Sequence, residues 1–503
     1  MPSTFLGLNT SYRGLVASNS GLNTTANNIS NIETAGYSRQ KVNQVASSAI
    51  RTYTSYGGVG TGVDTLAAER VRDVFYDIKY WNNNSKLGEY DKKQYYAAII
   101  ENYLNDTKGT NAVKGFTSIF DEYEAAMESL GTNTGDSSYA LDFIGKAGNL
   151  CEYFNLLYNN FQSMQTDVND EIKIKIDEIN GIAQEISTLN KEINTIEMDG
   201  VSRANELRDK RDLLVDELSA IVDVTVDERD IVDARTGEAS GVTNFSVKIA
   251  GGQTLVDGYD YRELICVPRD TYQQVNANDA EGLYDVRWTD TGDDLGVHAK
   301  STQGELKGLF EMRDGNNGEA FNGRVSQVDP DNQQVSVKVT DSYLMDMSKS
   351  TLPLSNGRIT LNGQTYYYKE WSYQLSDDGK SATYTFTMDE EKNALSDSEP
   401  LSTSLVFEKA KIGEQVNYQG IPYYLEQMNE WVRNYAEKFN DIYGDDKATD
   451  YRGDNHKGDI FYTGTNSVNG EQYKMEMKSD AKKYKSTDDG YFKLTAGHFN
   501  VEK

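Results

Sequence analysis

The first thirty residues carry two interleaved series of seam positions. Phe5, Tyr12 and Ala26 fall at seven-residue intervals, with Asn19 as the one polar place, and Leu8, Leu15, Leu22 and Ile29 repeat at seven, three positions behind. Alternating steps of three and four predict a helix with a coiled-coil seam, whose apolar side chains need a facing helix to cover them. Between the seam positions stand Ser, Thr and Asn, which favour caps and turns. Such a helix is marginal alone in water and is expected to fray unless something covers it. Asn31 and Gly36 then bring helix-ending, turn-prone chemistry, so the chain is expected to turn back there.

Residues 41–75 read as extended and turn-rich. Helical periodicity returns from about Glu69 to Leu104 and from Phe116 to Leu130, and the longest helical pattern runs from about Ser138 to Met198. Within it Ile172, Ile179, Ile186 and Ile193 are seven apart, Ile182, Leu189 and Ile196 hold the paired seam place, and Glu171, Glu178, Glu185 and Glu192 form an acidic flank. Asp199-Gly200 ends that helix, and Leu207, Leu214, Leu218 and Ile221 predict an antiparallel return helix. From Val224 the period changes to two, which predicts a β meander to about Lys300, followed by a helical piece at Gly304 to Arg313. Residues 319–414 look inserted. Asn362-Gly363 between Ile359-Thr-Leu361 and Thr365-Tyr-Tyr367 is a strong hairpin signal, and Asp378-Gly379 precedes another alternating strand. Tyr424, Met428, Trp431, Tyr435, Phe439 and Ile442 return to helical spacing.

The expected fold class is therefore α+β: an elongated multidomain chain with an N-terminal coiled-coil-type helix, a long helical-hairpin body and inserted antiparallel β structure. The segments are 1–50 for the N-terminal helix and turn, 51–223 for the helical body, and 224–318 for the meander and short helix. Residues 319–414 form an inserted antiparallel domain, and 415–503 are a return through the helical body.

The run Ala26-Asn27-Asn28-Ile29-Ser30-Asn31, followed by Thr34-Ala35-Gly36-Tyr37-Ser38-Arg39-Gln40, resembles the N-terminal signature of the bacterial flagellar axial proteins. The Gly-Tyr-Ser-Arg-Gln ending is closest to the hook-associated, hook–filament junction branch. Gly58 to Val63, Arg203 to Val226, Gly304 to Arg313, Gly458 to Tyr462 and Lys493 to Val501 are similar to the same branch. The resemblance implies a structural subunit exported without a cleaved signal. Its implied partners are copies of itself, hook protein, a second junction protein, an export chaperone and the export apparatus. It also implies that Phe5, Leu8, Tyr12, Leu15, Asn19, Leu22, Ala26 and Ile29 form a subunit interface. The family pairs this seam with a C-terminal helix, for which residues up to Lys503 show no counterpart. Other members of the class, hook protein and flagellin, fit less well: the heptad hairpin disfavours the first and Asn28 to Gln40 the second. An enzyme or glycan-binding module displayed in 319–414 is the alternative from another class.

Composition adds exclusions. With 79 acidic against 50 basic residues and a formal charge of −29, the surface repels phosphate backbones and anionic membranes, so neither nucleic acid nor membrane is an expected partner. No run of 18 apolar residues exists to span a bilayer. Cys151 and Cys266 read as small buried residues of separate regions. His298, His456 and His498 lie far apart, and no CxxC, HExxH, GxSxG or Walker A motif is present. The glycines of 57–62 miss the GxGxxG spacing, and the Asp-rich 445–459 segment misses that of an EF-hand. No catalytic residue, cofactor or metal is expected.

Overall fold

The computed structural model describes every residue except 1–4, 52–56, 107–113, 200–201, 233–238, 397–398, 450–452, 456–457, 466–469, 479–480 and 503. His456, Gly200 and Lys503 thus lie outside the described residues. Long helices and antiparallel sheets alternate along the chain, as the α+β reading expects. The chain forms two compact units, each assembled from separated stretches: one from 1–92, 173–266 and 286–308, the other from 93–172, 267–285 and 309–503.

The first unit opens with α1 (Leu6–Ser30), then β1 (Gln40–Ala46), β2 (Ile50–Arg51), β3 (Gly58–Val59) and β4 (Val63–Arg70). β1 pairs with β4 and β2 with β3, so the stretch expected to be merely extended is a ladder with a bulge between Val42 and Gln44. Helix α2 (Val74–Tyr103) follows and continues into the second unit. After α3 (Phe116–Thr132), the 61-residue α4 (Ser137–Glu197) ends in the first unit, and α5 (Asn205–Ile221) returns along it. Leu189 and Ile193 pack with Ala204, Leu207 and Leu214, and Ile179 and Ile186 are fully buried. Ile196 departs from the expected seam and is 46% exposed. A straight α-helix drifts about 20° per heptad against a seven-residue repeat, so late seam positions rotate out unless the helices supercoil.

The meander is real: β5 (Val224–Val232), β6 (Ala239–Ile249), β7 (Gln253–Asp257) and β8 (Asp260–Tyr261) pair in sequence order. α4 holds this sheet through side-chain amides. Asn194 donates Nδ2 to the Thr243 carbonyl at 2.8 Å and accepts the Thr243 N–H at 3.0 Å. Asn180 treats Leu264 the same way, at 2.8 Å in both directions. β9 (Leu264–Pro268) and β10 (Tyr284–Trp288) form a small pair, and α6 (Glu305–Asp314) follows. Cys266 is only partly buried and Cys151 is buried, so the expectation of two buried thiols holds for Cys151 alone.

In the second unit the alternating strands close on themselves. β11 (Phe321–Asp329), β12 (Gln334–Val339), β13 (Gly357–Leu361), β14 (Gln364–Leu375), β15 (Ala382–Met388) and β16 (Lys409–Ile412) run β13-β16-β11-β12-β15-β14, and β14 pairs back to β13. The result is a six-stranded antiparallel barrel. Asn362 and Gly363 both have positive φ, 49° and 85°, as the predicted two-residue turn requires. Strand β14 makes closure possible: residues 364–368 pair with β13, a bulge follows Tyr368, and residues 370–375 pair with β15. The short helices α7 (Ser342–Met345) and α8 (Glu390–Leu395) lie in its connections. Phe386, Tyr384, Trp371, Tyr368 and Val337 fill the interior. Their polar tips are met, with Tyr384 donating to the Leu344 carbonyl at 2.8 Å and Trp371 to that of Pro353 at 3.0 Å.

Helix α9 (Ile421–Tyr443) then packs Trp431, Tyr435 and Phe439 among Phe120, Phe143 and Phe154. β17 (Tyr462–Gly464) pairs with β19 (Phe499–Val501). Between them β18 (Lys483–Lys485) adds a seventh strand to β14, and Tyr484 and Phe492 join the barrel core. That core therefore draws on side chains well beyond residue 414.

Candidate functional site

Helix α1 has two faces, and the chain uses the less apolar one. Thr10, Gly14, Ala17, Gly21, Thr24 and Asn28 follow steps of four and three, and they line the side that meets β1 and β4. Small side chains allow close approach there: a Cβ at Gly62 would lie 3.3 Å from the Thr10 carbonyl oxygen. Arg13 donates to Ser47 Oγ at 2.6 Å and to Asp64 at 3.0 Å, and Gln44 Nε2 reaches the Ala17 carbonyl at 3.1 Å. These bonds fix the helix without using its seam.

The opposite face carries the seam, and it is open. Phe5, Leu8, Tyr12, Leu15, Leu22 and Ile29 are each between 63% and 70% exposed, and Asn19 and Ala26 are exposed with them. Six large apolar side chains in one row form a contiguous patch of the kind that marks an interaction surface. The expected fraying is not what the structure shows. The helix is continuous because its polar face is docked, which removes the nucleation cost that an isolated helix meets.

The signature residues build the turn that holds this helix in place. Asn28 donates Nδ2 to the Gln40 carbonyl and accepts the Gln40 N–H at Oδ1, both at 2.9 Å. Tyr37 donates its hydroxyl to the same Oδ1 at 2.9 Å and accepts from Asn27 Nδ2 at 3.3 Å. Burial and the charges of Asp209 and Glu206 raise the Tyr37 pKa, which keeps that hydroxyl a donor. Asn31 Nδ2 reaches back to the Asn27 carbonyl at 3.0 Å, and Thr34 Oγ1 donates to Asn31 Oδ1 at 3.2 Å. Gly36 has φ +76°, and a Cβ there would also sit 3.0 Å from the Leu213 side chain, so glycine is required twice over. The Ser38 N–H binds Asp209 Oδ2 at 3.1 Å, and the Arg39 carbonyl accepts from the Val71 N–H at 2.8 Å. Arg39 itself is exposed, whereas Gln40 is buried. The structure thus joins Asn27, Asn28, Asn31, Thr34, Tyr37 and Gln40 in one network, with Gly36 and Ser38 anchored to α5 and the seam facing away from it.

Two anchors escaped the sequence reading. Arg70 donates to Asp209 at 2.9 Å and to Asp212 at 2.7 Å, tying the end of β4 to the helix that holds Ser38. No local period links positions so far apart. Beside them lies an open groove of about 860 Å³ lined by Arg70, Arg72, Arg208, Asp77, Asp212 and Glu228. Its guanidinium groups are matched within the chain. Arg72 pairs with Asp77 at 2.8 Å, and Arg208 pairs with Glu228 at 2.9 Å and with the buried Glu197 at 2.7 Å. Arg203, also on the wall, lies 3.5 Å from Glu197, so among the described residues the groove is a structural ion-pair network. Among the described residues no cluster of three or more His, Cys, Asp or Glu is placed to hold a metal, and no helix is long and apolar enough to cross a membrane. Burial lowers the pKa of His498 and raises that of the Cys151 thiol.

Comparison with known proteins adds to this geometry. Residues 97–328 match the family described as the flagellar hook-associated protein FlgK helical domain. Flagellar hook-associated protein 1 of Bacillus subtilis is 31% identical over 269 residues, covering 52% of this chain and 52% of that protein. The protein of that name from Escherichia coli is 29% identical over 262 residues, covering 52% of this chain and 45% of that one. The match spans about half the length of these curated relatives. A solved structure of the flagellar hook junction protein FlgK from Burkholderia pseudomallei aligns with a TM-score of 0.38 at 15% identity, over 69% of this chain and 64% of that one. Over about half its length this chain resembles flagellar hook-associated protein 1, and its residues 97–328 match the FlgK helical domain.

Proposed function

We propose that this chain is a structural subunit of the bacterial flagellum that joins hook to filament by self-assembly. The observation that carries the reading is the open α1 seam: six large apolar side chains held outward by a helix whose other face is already docked. Covering one such side chain is worth about 1.5–3 kcal/mol, so a partner helix gains substantially by lying along it. The partners are other copies of the chain and neighbouring axial proteins, namely hook protein and a second junction protein. An export chaperone shields the seam before assembly, and the chain reaches the flagellum through the export apparatus. No turnover is involved. The barrel, packed with aromatic side chains, is a structural element in this reading. The relatives' names and the helical-domain match support it.

Deleting the gene in its own bacterium tests this. The expected result is loss of swimming and of filaments attached to hooks, with the tagged protein found at the hook–filament boundary when the gene is restored. Normal filaments and swimming in the deletion strain would overturn it.

A further inference from the structure

Two other faces in the first unit are exposed, and their patterns correspond. On α2, Tyr76, Tyr80, Leu87 and Tyr90 are each more than half exposed, and Asn83 completes steps of four and three. Lys79 and Lys86 run beside them, seven residues apart. Lys79 lies 4.3 Å from the Phe75 ring centroid, and Lys86 has no carboxylate partner among the described residues. In a chain of net charge −29, two lysines without a carboxylate partner among the described residues, beside four exposed apolar side chains, are a conspicuous local excess.

The outer face of α4 is the counterpart. Ile174, Glu178, Gly181, Glu185, Thr188 and Glu192 follow the same steps, and all are exposed. Glu178 bridges Lys175 at 3.0 Å, while Glu185 and Glu192 have no ion-pair partner among the described residues. A Cβ at Gly181 would meet nothing within 4 Å, so no packing inside the chain calls for glycine in the interior of this helix. Glycine there weakens the helix relative to alanine and leaves a gap in its surface. Residues seven apart rise about 10.5 Å along an α-helix, so the lysine pair and the glutamate pair share one spacing.

We propose that the α2 face of one copy docks on the outer α4 face of a second copy. Lys79 and Lys86 meet Glu185 and Glu192, and a tyrosine ring enters the gap at Gly181. The occupant is a second copy because the complementary sign and period both stand on this chain. Exposed ion pairs add little, so the aromatic contact supplies affinity and the charges set register. The contact is heterologous, which lets copies continue into a ring or helix where a two-fold contact would stop at a dimer. This deepens the assembly reading by naming a lateral contact apart from the α1 seam.

The test is sedimentation of the purified full chain over a wide concentration range. The parent is expected to self-associate. Lys79→Glu with Lys86→Glu weakens association about tenfold, as two attractions become repulsions, and Glu185→Lys with Glu192→Lys does the same. Mixing the two variants restores pairing, because each supplies the complement the other lacks. Gly181→Leu leaves melting intact and weakens association. No self-association by the parent, variants that associate like the parent, or a mixture that fails to recover would each overturn the proposal. If these results hold while the gene deletion leaves filaments intact, the assembly reading fails and the contact stands.

Discussion

Asn28 stands in for a β-strand: its side-chain amide makes both backbone hydrogen bonds of Gln40, donating to the carbonyl and accepting from the N–H at 2.9 Å each. The same two-point clamp recurs from Asn180 to Leu264, from Asn194 to Thr243 and from Asn440 to Tyr462. In each case a helix side chain fastens the open edge of a strand whose other edge is paired within a sheet. The device suits a chain of long helices with short strands, where backbone groups would otherwise be buried unpaired.

Replacing Asn28 by alanine strands both backbone groups of Gln40 and the Tyr37 hydroxyl. Each buried unmet group costs about 1–3 kcal/mol, so the turn should open locally while the rest of the fold persists. Hydrogen exchange at the Gln40 amide and along α1 is expected to accelerate, with little change in the barrel strands.

Asn440→Ala removes a more deeply buried clamp. Asn440 Oδ1 accepts from the N–H groups of Phe461 at 2.9 Å and Tyr462 at 2.8 Å, and Nδ2 donates to the Tyr462 carbonyl at 2.7 Å. A loss of about 2–4 kcal/mol is expected, read by denaturant unfolding followed through aromatic fluorescence.

Much of this architecture is legible in the sequence, and what escaped has identifiable reasons. The seven-residue series of α1 and α4 and the Asn362-Gly363 turn are local patterns, and the structure places helices and hairpin there. The clamps are hidden because Asn180 and Asn194 look like polar interruptions of a heptad helix, and their partners are strands far along the chain. The seventh barrel strand, only three residues long, is too short to show a period. The seam face of α1 could be read from spacing, but not that Thr10, Gly14 and Ala17 would dock its other side. Small and polar residues carry no hydrophobic signal.

Barrel stability should depend on that third-party strand. Tyr484 is buried against Tyr373 and Phe492, so Tyr484→Ala removes a large core side chain from outside the inserted segment. A loss of about 3–5 kcal/mol is expected, by analogy with other large aromatic truncations. Chemical denaturation with probes in the barrel checks it.

Burial and the nearby charge of Glu319 raise the pKa of Glu426 to about 8, against the opposing pull of Arg433 and Lys349, with Glu430 adding to the rise. The folded form then holds a proton that the unfolded chain has released above its ordinary carboxylate range. Stability from this group is full at low pH and is lost as pH rises from about 4.5 through about 8. Glu426→Gln, which keeps the shape without the charge, should flatten that part of the profile. The parent's melting temperature should fall more than the variant's between pH 5 and pH 9, by an amount corresponding to a few kcal/mol.

The most direct measurement concerns the α1 seam. Leu15 and Leu22 are 69% and 68% exposed, so Leu15→Asp or Leu22→Asp should leave the melting temperature of the purified chain unchanged. In the assembled flagellum the same carboxylates would be buried without a partner, at a cost of several kcal/mol. With either variant replacing the chromosomal copy, the account predicts normal protein levels, loss of swimming and loss of the protein from hook–filament boundaries. Full swimming by both variants would contradict the claim that this seam is the assembly face.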